Sequence, residues 1–358
     1  IAAKLLNPDT RDAYIENLNN EYEALRASME KKKEVLVSLS EARANPQQID
    51  WKGYTPVVPN QMGIHVLPYI PLEEIIPYIH WTFFFTAGIT QIHGCDACRA
   101  SWLADFPEED RAKAAEAMQL YKDAVKLLDR LVEMKAEYCK AIYGFFPANS
   151  DGDTIRMGEI AIPVLRQQSK KEEGVYKSLA DYIMPVSEGR TDYAGAFVVT
   201  AGVGAEDLKN KLEEEGDTYN SMLLQTLTDR LAEALAEYLH EKVRKEYWGY
   251  APDEALSIPD LYKVKYQGIR PAIGYPSLPD QLLNYTLDNL LEMSQIHVKL
   301  AENGAMYPTA TVSGIYIAHP DSQYFMIGSI DEEQMKDYAA RRNLSEAEAK
   351  KLLNKNIS

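Results

Sequence analysis

The sequence predicts an α+β body: a twisted, mostly antiparallel sheet flanked by helices, entered through a long N-terminal helix. Two observations carry this. Apolar residues recur at helical spacing around positions 8–40, 107–138 and 205–248, while strand-like runs occupy 142–149, 195–204 and 309–318. The two kinds of segment come in mixed order without regular strand–helix alternation, which argues against a doubly wound parallel sheet. Hydrophobic residues make up 46% of the 358, enough to build a sizeable core.

Over the first forty residues, Asn7 and Asp9 flank Pro8, a helix-start signal, and Ile15, Leu18, Tyr22, Leu25 and Met29 recur at spacings of three and four. The apolar stripe is narrow and needs a partner surface. Residues 1–50 therefore read as a linker helix leading from an upstream domain, with a helix packed on this same body as the alternative. Residues 51–358 read as the main domain. The chain starts with isoleucine and is taken as a piece of a longer polypeptide.

Between residues 44 and 77, six prolines (46, 56, 59, 68, 71, 77) exclude long helices and central strands. A helix follows from about 107 to 138, with PEED in its first turn, where the helix dipole favours acids. IYGFFPAN (142–149) has strand length, 153–163 reads as a strand or two, and GAFVVTAGVG (195–204) reads as a buried strand. Residues 205–248 are helical again. The last third holds a helix at 279–293, strand candidates at 309–318 and 324–330, and two short helices. The second of these opens on a Ser345–Glu348 capping box.

The formal charge of −16 argues against nucleic acid or an anionic membrane as partner. No apolar run approaches the roughly 18 residues of a membrane span, and no signal peptide is visible. Three cysteines (Cys95, Cys98, Cys139) fit a reducing compartment, so a cytoplasmic location is expected.

There is no P-loop and no HExxH. GVGA at Gly202 lacks the third glycine of a dinucleotide turn and reads as a strand exit. His93, Cys95 and Cys98 could supply three zinc ligands, but no second pair completes the set; the segment reads as a loop and no metal is expected.

One stretch stands apart: residues 266–276, YQGIRPAIGYP. Gly268 and Gly274 allow left-handed backbone, while Pro271 and Pro276 stiffen the chain between them. Arg270 thus sits on a rigid loop, able to grip a carboxylate or to pair with an internal acid.

RPAIGY fits an R-x-x-x-G-Y pattern. Further blocks stand in the same order: FFPAN (145–149), SLADYIMP (178–185), DYAGAF (192–197) and RLAEALAEYLHEKVRKEYWGYAPDE (230–254). TVSGIYIAHPDSQYF (311–325) and DYAARRNLSEAEA follow. Together they resemble the activation domain of cobalamin-dependent methionine synthase, closely from about 141 onward and more weakly over 51–140.

The resemblance implies a module that binds S-adenosylmethionine and supports reductive methylation of cob(II)alamin to methylcobalamin. Its implied partners are a cobalamin-binding domain of the same polypeptide, which holds the cobalamin, and flavodoxin or a related flavoprotein. Carried over by position, it implies Asp192 and Glu233 as acids at the ligand's ammonium end and Arg270 at the carboxylate. Gly274 and Tyr275 shape the loop, and Tyr324 and Phe325 lie on the nucleoside side. Ser277, where the family pattern has alanine, joins the set. No catalytic residue is implied, since methyl transfer to cobalt needs positioning rather than a protein nucleophile.

The rival readings are a docking module that caps the cobalamin domain without binding ligand, and a metal-dependent redox protein built on residues 93–98. Because flavodoxins are acidic, a local basic docking face is expected, using Lys242, Arg244, Lys245, Arg341 or Arg342.

Overall fold

The apolar run around 142–149 becomes the organising strand of the sheet. In the computed structural model, which describes residues 5, 8–30, 34–81, 84, 111–135 and 137–357, it is the longest strand. In chain order the helices are α1 (Pro8–Glu30), α2 (Leu39–Ala44), α3 (Leu72–Ile75), α4 (Arg111–Glu133), α5 (Ala205–Glu214), α6 (Thr218–Lys242), α7 (Ile258–Tyr262), α8 (Leu283–Leu291), α9 (Glu332–Arg342) and α10 (Glu346–Leu352). The strands are β1 (Gly63–Leu67), β2 (Lys140–Asp151), β3 (Thr154–Met157), β4 (Ile160–Pro163), β5 (Asp192–Thr200), β6 (Lys299–Leu300), β7 (Met306–Tyr307) and β8 (Thr311–Tyr316).

The main sheet runs β4-β3-β2-β5-β8, and every pairing in it is antiparallel. β2 is long enough to serve two neighbours on one side: residues 141–145 pair with β1 and 148–151 with β3. β6 and β7 form a separate two-stranded ribbon.

Period-two alternation splits the core into two layers. Tyr143, Phe145, Phe197, Val199 and Tyr316 face one side, where Leu227, Leu231, Leu235 and Leu239 of α6 and Leu128 and Leu131 of α4 cover them. Ile142, Ala196, Val198 and Ile315 face the other side, against Leu283, Leu287 and Leu291 of α8. Helices on both faces of an antiparallel sheet match the α+β expectation.

Several boundaries move for identifiable reasons. The helix expected over 205–248 is three pieces. Gly216, at φ +78°, turns the chain out of α5, and the Asp217 side chain caps α6 by accepting the Asn220 amide at 3.1 Å. At the far end α6 widens into a π turn, Val243–Tyr247.

The strand candidate at 324–330 is not a strand; Ile327 donates a single backbone bond to Pro276, and Ile330 makes one isolated bridge to Ile357. Phe325 and Ile327 pack in one cluster with residues of α9 and α10, while Tyr324 is exposed. The proline-rich stretch does yield a strand, but β1 pairs only with β2, as a non-central strand should.

Part of the stretch read as a linker is bonded to this body. Val37 donates to the Gln168 carbonyl at 2.9 Å, and Arg43 reaches Asp153 and Asp337, each at 2.7 Å. The Ser345 capping box opens α10 as expected. The PEED turn and residues 93–98 lie outside the described residues. Among the described residues, no helix is long and apolar enough to cross a membrane.

Candidate functional site

α6 carries two kinds of surface. Its leucines face the sheet, while Arg230, Glu233 and Glu237, spaced by three and four, share another face one above the other. His240 and Arg244 continue that line into the π turn. Arg244 is fully buried and gives Glu254 a bidentate bond, from Nε at 2.8 Å and Nη2 at 2.7 Å, while its guanidinium lies 4.3 Å from the centre of the Tyr266 ring. A buried arginine is tolerable only with such pairing. Arg244 therefore belongs to the interior and not to a basic docking face. The other four cations suggested for that face are paired as well: Lys242 with Glu246, Lys245 with Glu241, Arg341 with Asp337 and Arg342 with Asp280.

Opposite this face runs the loop 266–276, fixed to β8 by backbone bonds. The Ile269 and Ile317 amides and carbonyls exchange bonds at 2.9 and 3.0 Å, Ile315 donates to Pro271 at 3.1 Å, and Ile273 donates to Ser313 at 2.9 Å. Gly268 sits at φ +81°, where an added Cβ would meet the Tyr250 hydroxyl at 2.6 Å and the Ile317 carbonyl at 2.8 Å. Gly274, at φ +85°, starts the tight turn that Leu278 closes by bonding both Gly274 and Tyr275. Arg270 is thus held on a rail rather than on a free loop.

Between α6 and this rail lies a cavity of about 650 Å³. Arg230, Glu233 and Glu237 form one wall, and Arg270, Tyr275 and Ser277 another. Tyr324, Phe325 and Met326 close it from the C-terminal side, and Tyr78 and His80 from the N-terminal side. His80 packs on Tyr262 with ring centroids 4.0 Å apart.

Arg270 donates from Nη2 to Glu237 Oε2 at 2.8 Å, while its Nε is buried and has no hydrogen-bond partner among the described residues. Burial works against the Arg270 charge, but Glu237 and the phenols of Tyr324 and Tyr266 outweigh it, so its pKa is raised and it stays a cation. Beneath it, burial and the two arginines push His240 well below the usual imidazole range, leaving it neutral. The Tyr275 hydroxyl donates to Glu233 in a short contact. Burial and Glu233 both push that phenol upward, so it remains a donor.

The site places two cations and two carboxylates around a space walled by rings. Such a surface suits a zwitterion joined to a flat aromatic group.

Of the eight residues assigned to the site by resemblance, the structure brings six to the cavity: Glu233, Arg270, Tyr275, Ser277, Tyr324 and Phe325. Gly274 shapes the turn but does not line the space. Asp192 lies elsewhere, at the start of β5 opposite Ala148, where its carboxylate accepts the Met184 amide at 3.0 Å and the Tyr193 amide at 2.8 Å. Burial pushes Asp192 up to about 6 against the pull of those two amides.

Sequence reasoning missed Glu237 and Arg230. The signal was present: they flank Glu233 at helical spacing on a helix whose remaining positions are mostly apolar. Tyr266 and His80 carried no comparable pattern.

Comparison with known proteins identifies the family and the fold. A family model described as vitamin B12 dependent methionine synthase, activation domain, matches residues 71–343. The chain is also similar to a crystal structure of the MetH reactivation domain bound to AdoHcy, with 39% identity and a TM-score of 0.83, covering 90% of this chain and 99% of that one. A match across most of the chain, with the same architecture at that identity, settles the family. This chain belongs to the activation-domain family of vitamin B12-dependent methionine synthases.

Proposed function

We propose that the cavity binds S-adenosylmethionine, and that the chain thereby serves reductive methylation of a cobalamin held mainly by another domain of the same polypeptide, with flavodoxin or a related flavoprotein as electron donor. The observation that carries this reading is Arg270, a cation on a rigid rail that lines the cavity, with Glu237 as the one guanidinium hydrogen-bond partner among the described residues. A donor left unpaired in a folded interior is costly unless a ligand completes it. The AdoHcy carried by the similar reactivation domain has a carboxylate of the right kind.

When bound, S-adenosylmethionine supplies a methyl group activated by a sulfonium. This chain's residues bind and orient it: Arg270 takes the carboxylate, Glu233 faces the ammonium, and Tyr324 and Phe325 cover the nucleoside. Ser277 and Tyr275 complete the wall, and Gly274 sets the turn that presents Tyr275. Asp192 is left out of the contact set by its position. Tyr275, Tyr324 and Met326 at the rim are exposed, which suits a mouth that another domain approaches.

Calorimetric titration with S-adenosylmethionine or AdoHcy tests the reading. Arg270→Ala lowers affinity about tenfold to a hundredfold, the scale of a charge-assisted pair. Wild-type affinity in that variant would remove Arg270 from the site. Absence of binding to the unaltered chain at millimolar ligand would favour a docking module without ligand.

A further inference from the structure

Glu237 stands in the cavity wall but does a different task from Glu233. Its residue surface is 8% exposed, and Oε2 accepts from Arg270 Nη2 at 2.8 Å. Its other oxygen, Oε1, has no hydrogen-bond partner and lies 4.0 Å from Arg244 Nη1, whose own hydrogen-bonding capacity is also unfilled. Glu237 therefore sits between two guanidinium groups, one buried and anchored and one partly exposed and lining the cavity. Arg244 is fixed by its bidentate bond to Glu254 and by the Tyr266 ring. Among the described residues Arg270 has no second side-chain acceptor: its backbone N–H goes to Tyr324, and its guanidinium bond goes to Glu237.

An arginine side chain has large rotamer entropy, and a single rigid acceptor fixes it ahead of ligand arrival. Glu237 is itself rigid, because it projects from a helix whose neighbouring positions are packed in the core.

Resting on the proposed S-adenosylmethionine reading, we infer that Glu237 is a positioning residue: by holding Arg270 through Nη2 between the α6 wall and the β8 rail, it leaves the cavity-lining edge of the guanidinium free for a ligand carboxylate. Glu237 acts through Arg270 and makes no bond to the carboxylate itself. Two carboxylates then share one guanidinium, the protein's on Nη2 and the ligand's on the donors left toward the cavity, an arrangement the five donors of arginine permit.

The test compares two ligands on the 358-residue chain: AdoHcy, and its decarboxylated analogue, which keeps the nucleoside, thioether and amine. Glu237→Ala should weaken AdoHcy about tenfold or more and the analogue less than about twofold, since only the first uses the held guanidinium. Glu237→Gln keeps an acceptor oxygen and should retain most of the affinity that Ala loses. Where Glu237→Ala does not fold, the same ligand split, reduced in size, is read from Glu237→Gln. Adding Glu237→Ala to Arg270→Ala should produce no further loss of AdoHcy affinity.

Equal weakening of both ligands overturns the inference and makes Glu237 a direct amine contact or a wall residue. Unchanged AdoHcy affinity in Glu237→Ala and Glu237→Gln also overturns it, while a loss confined to Arg270→Ala leaves the ligand reading standing. If the unaltered chain fails to bind AdoHcy, both fall.

Discussion

The Tyr324 hydroxyl accepts the backbone N–H of Arg270 at 2.9 Å, so a side chain 54 residues downstream completes the backbone of the loop that carries the arginine. The same hydroxyl lies 3.4 Å from that of Tyr266. One phenol thus joins the segment after β8 to both ends of the 266–270 turn, on the open side of the cavity. The loop is braced from behind by β8 and from in front by Tyr324.

Tyr324→Phe removes this acceptor while keeping the ring. The site is 41% exposed, so water can replace the lost partner, and global stability should fall by only about 0.5–1.5 kcal/mol. Affinity for AdoHcy should fall about threefold to tenfold, because the Arg270 backbone is released within an otherwise intact wall. Urea unfolding and calorimetry on the same sample separate the two effects. A stability loss with unchanged affinity would show that the brace serves folding alone.

The two glycines of the loop should differ sharply in tolerance. Both hold left-handed backbone, so each Gly→Ala change costs about 1–2 kcal/mol in strain. At Gly274 nothing lies within 4 Å of the added carbon, and the cost stops there. At Gly268 the carbon meets the Ile317 carbonyl, which is backbone and cannot swing away. Overpacking adds about 1–3 kcal/mol, and the rail must lift off β8 to relieve it. Chemical denaturation should therefore rank Gly268→Ala well below Gly274→Ala. Equal losses would mean the loop shifts freely.

Much of this was legible in the sequence because it rests on local chemistry. Period-two apolar runs gave β2 and β5, the Ser345–Glu348 pair gave the α10 cap, and Gly268, Arg270 and Gly274 together marked a stiff presenting loop. What stayed hidden depends on contacts distant in sequence. Residues 324–330 alternate like a strand, yet no neighbouring ladder is there to receive them. Arg244 looks like one of several surface cations near the end of a helix, and only the π turn and Glu254 reveal that it is interior. Asp192 sits in a matching sequence block, but its side chain turns back on the Met184 and Tyr193 amides. Glu237 stands in a matching block with no distinguishing signal, because its bonding partner Arg270 is 33 residues away.

Arg244→Ala should be among the most damaging single changes. It leaves Glu254 buried without its bidentate partner and opens space beneath Tyr266. Losing one member of a buried pair costs about 3–5 kcal/mol. Because the pair is shielded from solvent, raising salt should not change the difference between wild type and variant. By contrast, the exposed Lys336–Glu332 pair should contribute little to stability and weaken with salt. Denaturation at low and high ionic strength checks both; a strongly salt-dependent Arg244 effect would place that side chain at the surface.

Asp192 should leave a signature in the pH dependence of stability. Its folded pKa is pushed up to about 6 by burial, against an ordinary value of 3.8. Between these values the folded chain holds a proton that the unfolded chain has released, so this group's contribution to stability is greatest below about pH 4. It declines as pH rises through that window and levels off above about pH 6. The full swing is at most about 3 kcal/mol, at 1.36 kcal/mol per unit. Asp192→Asn cannot titrate and lacks this slope. Urea unfolding from pH 4 to pH 7 should therefore show wild type losing stability relative to Asp192→Asn as pH rises. Parallel profiles would mean that the two amide bonds hold the carboxylate ionised throughout, with burial the weaker influence.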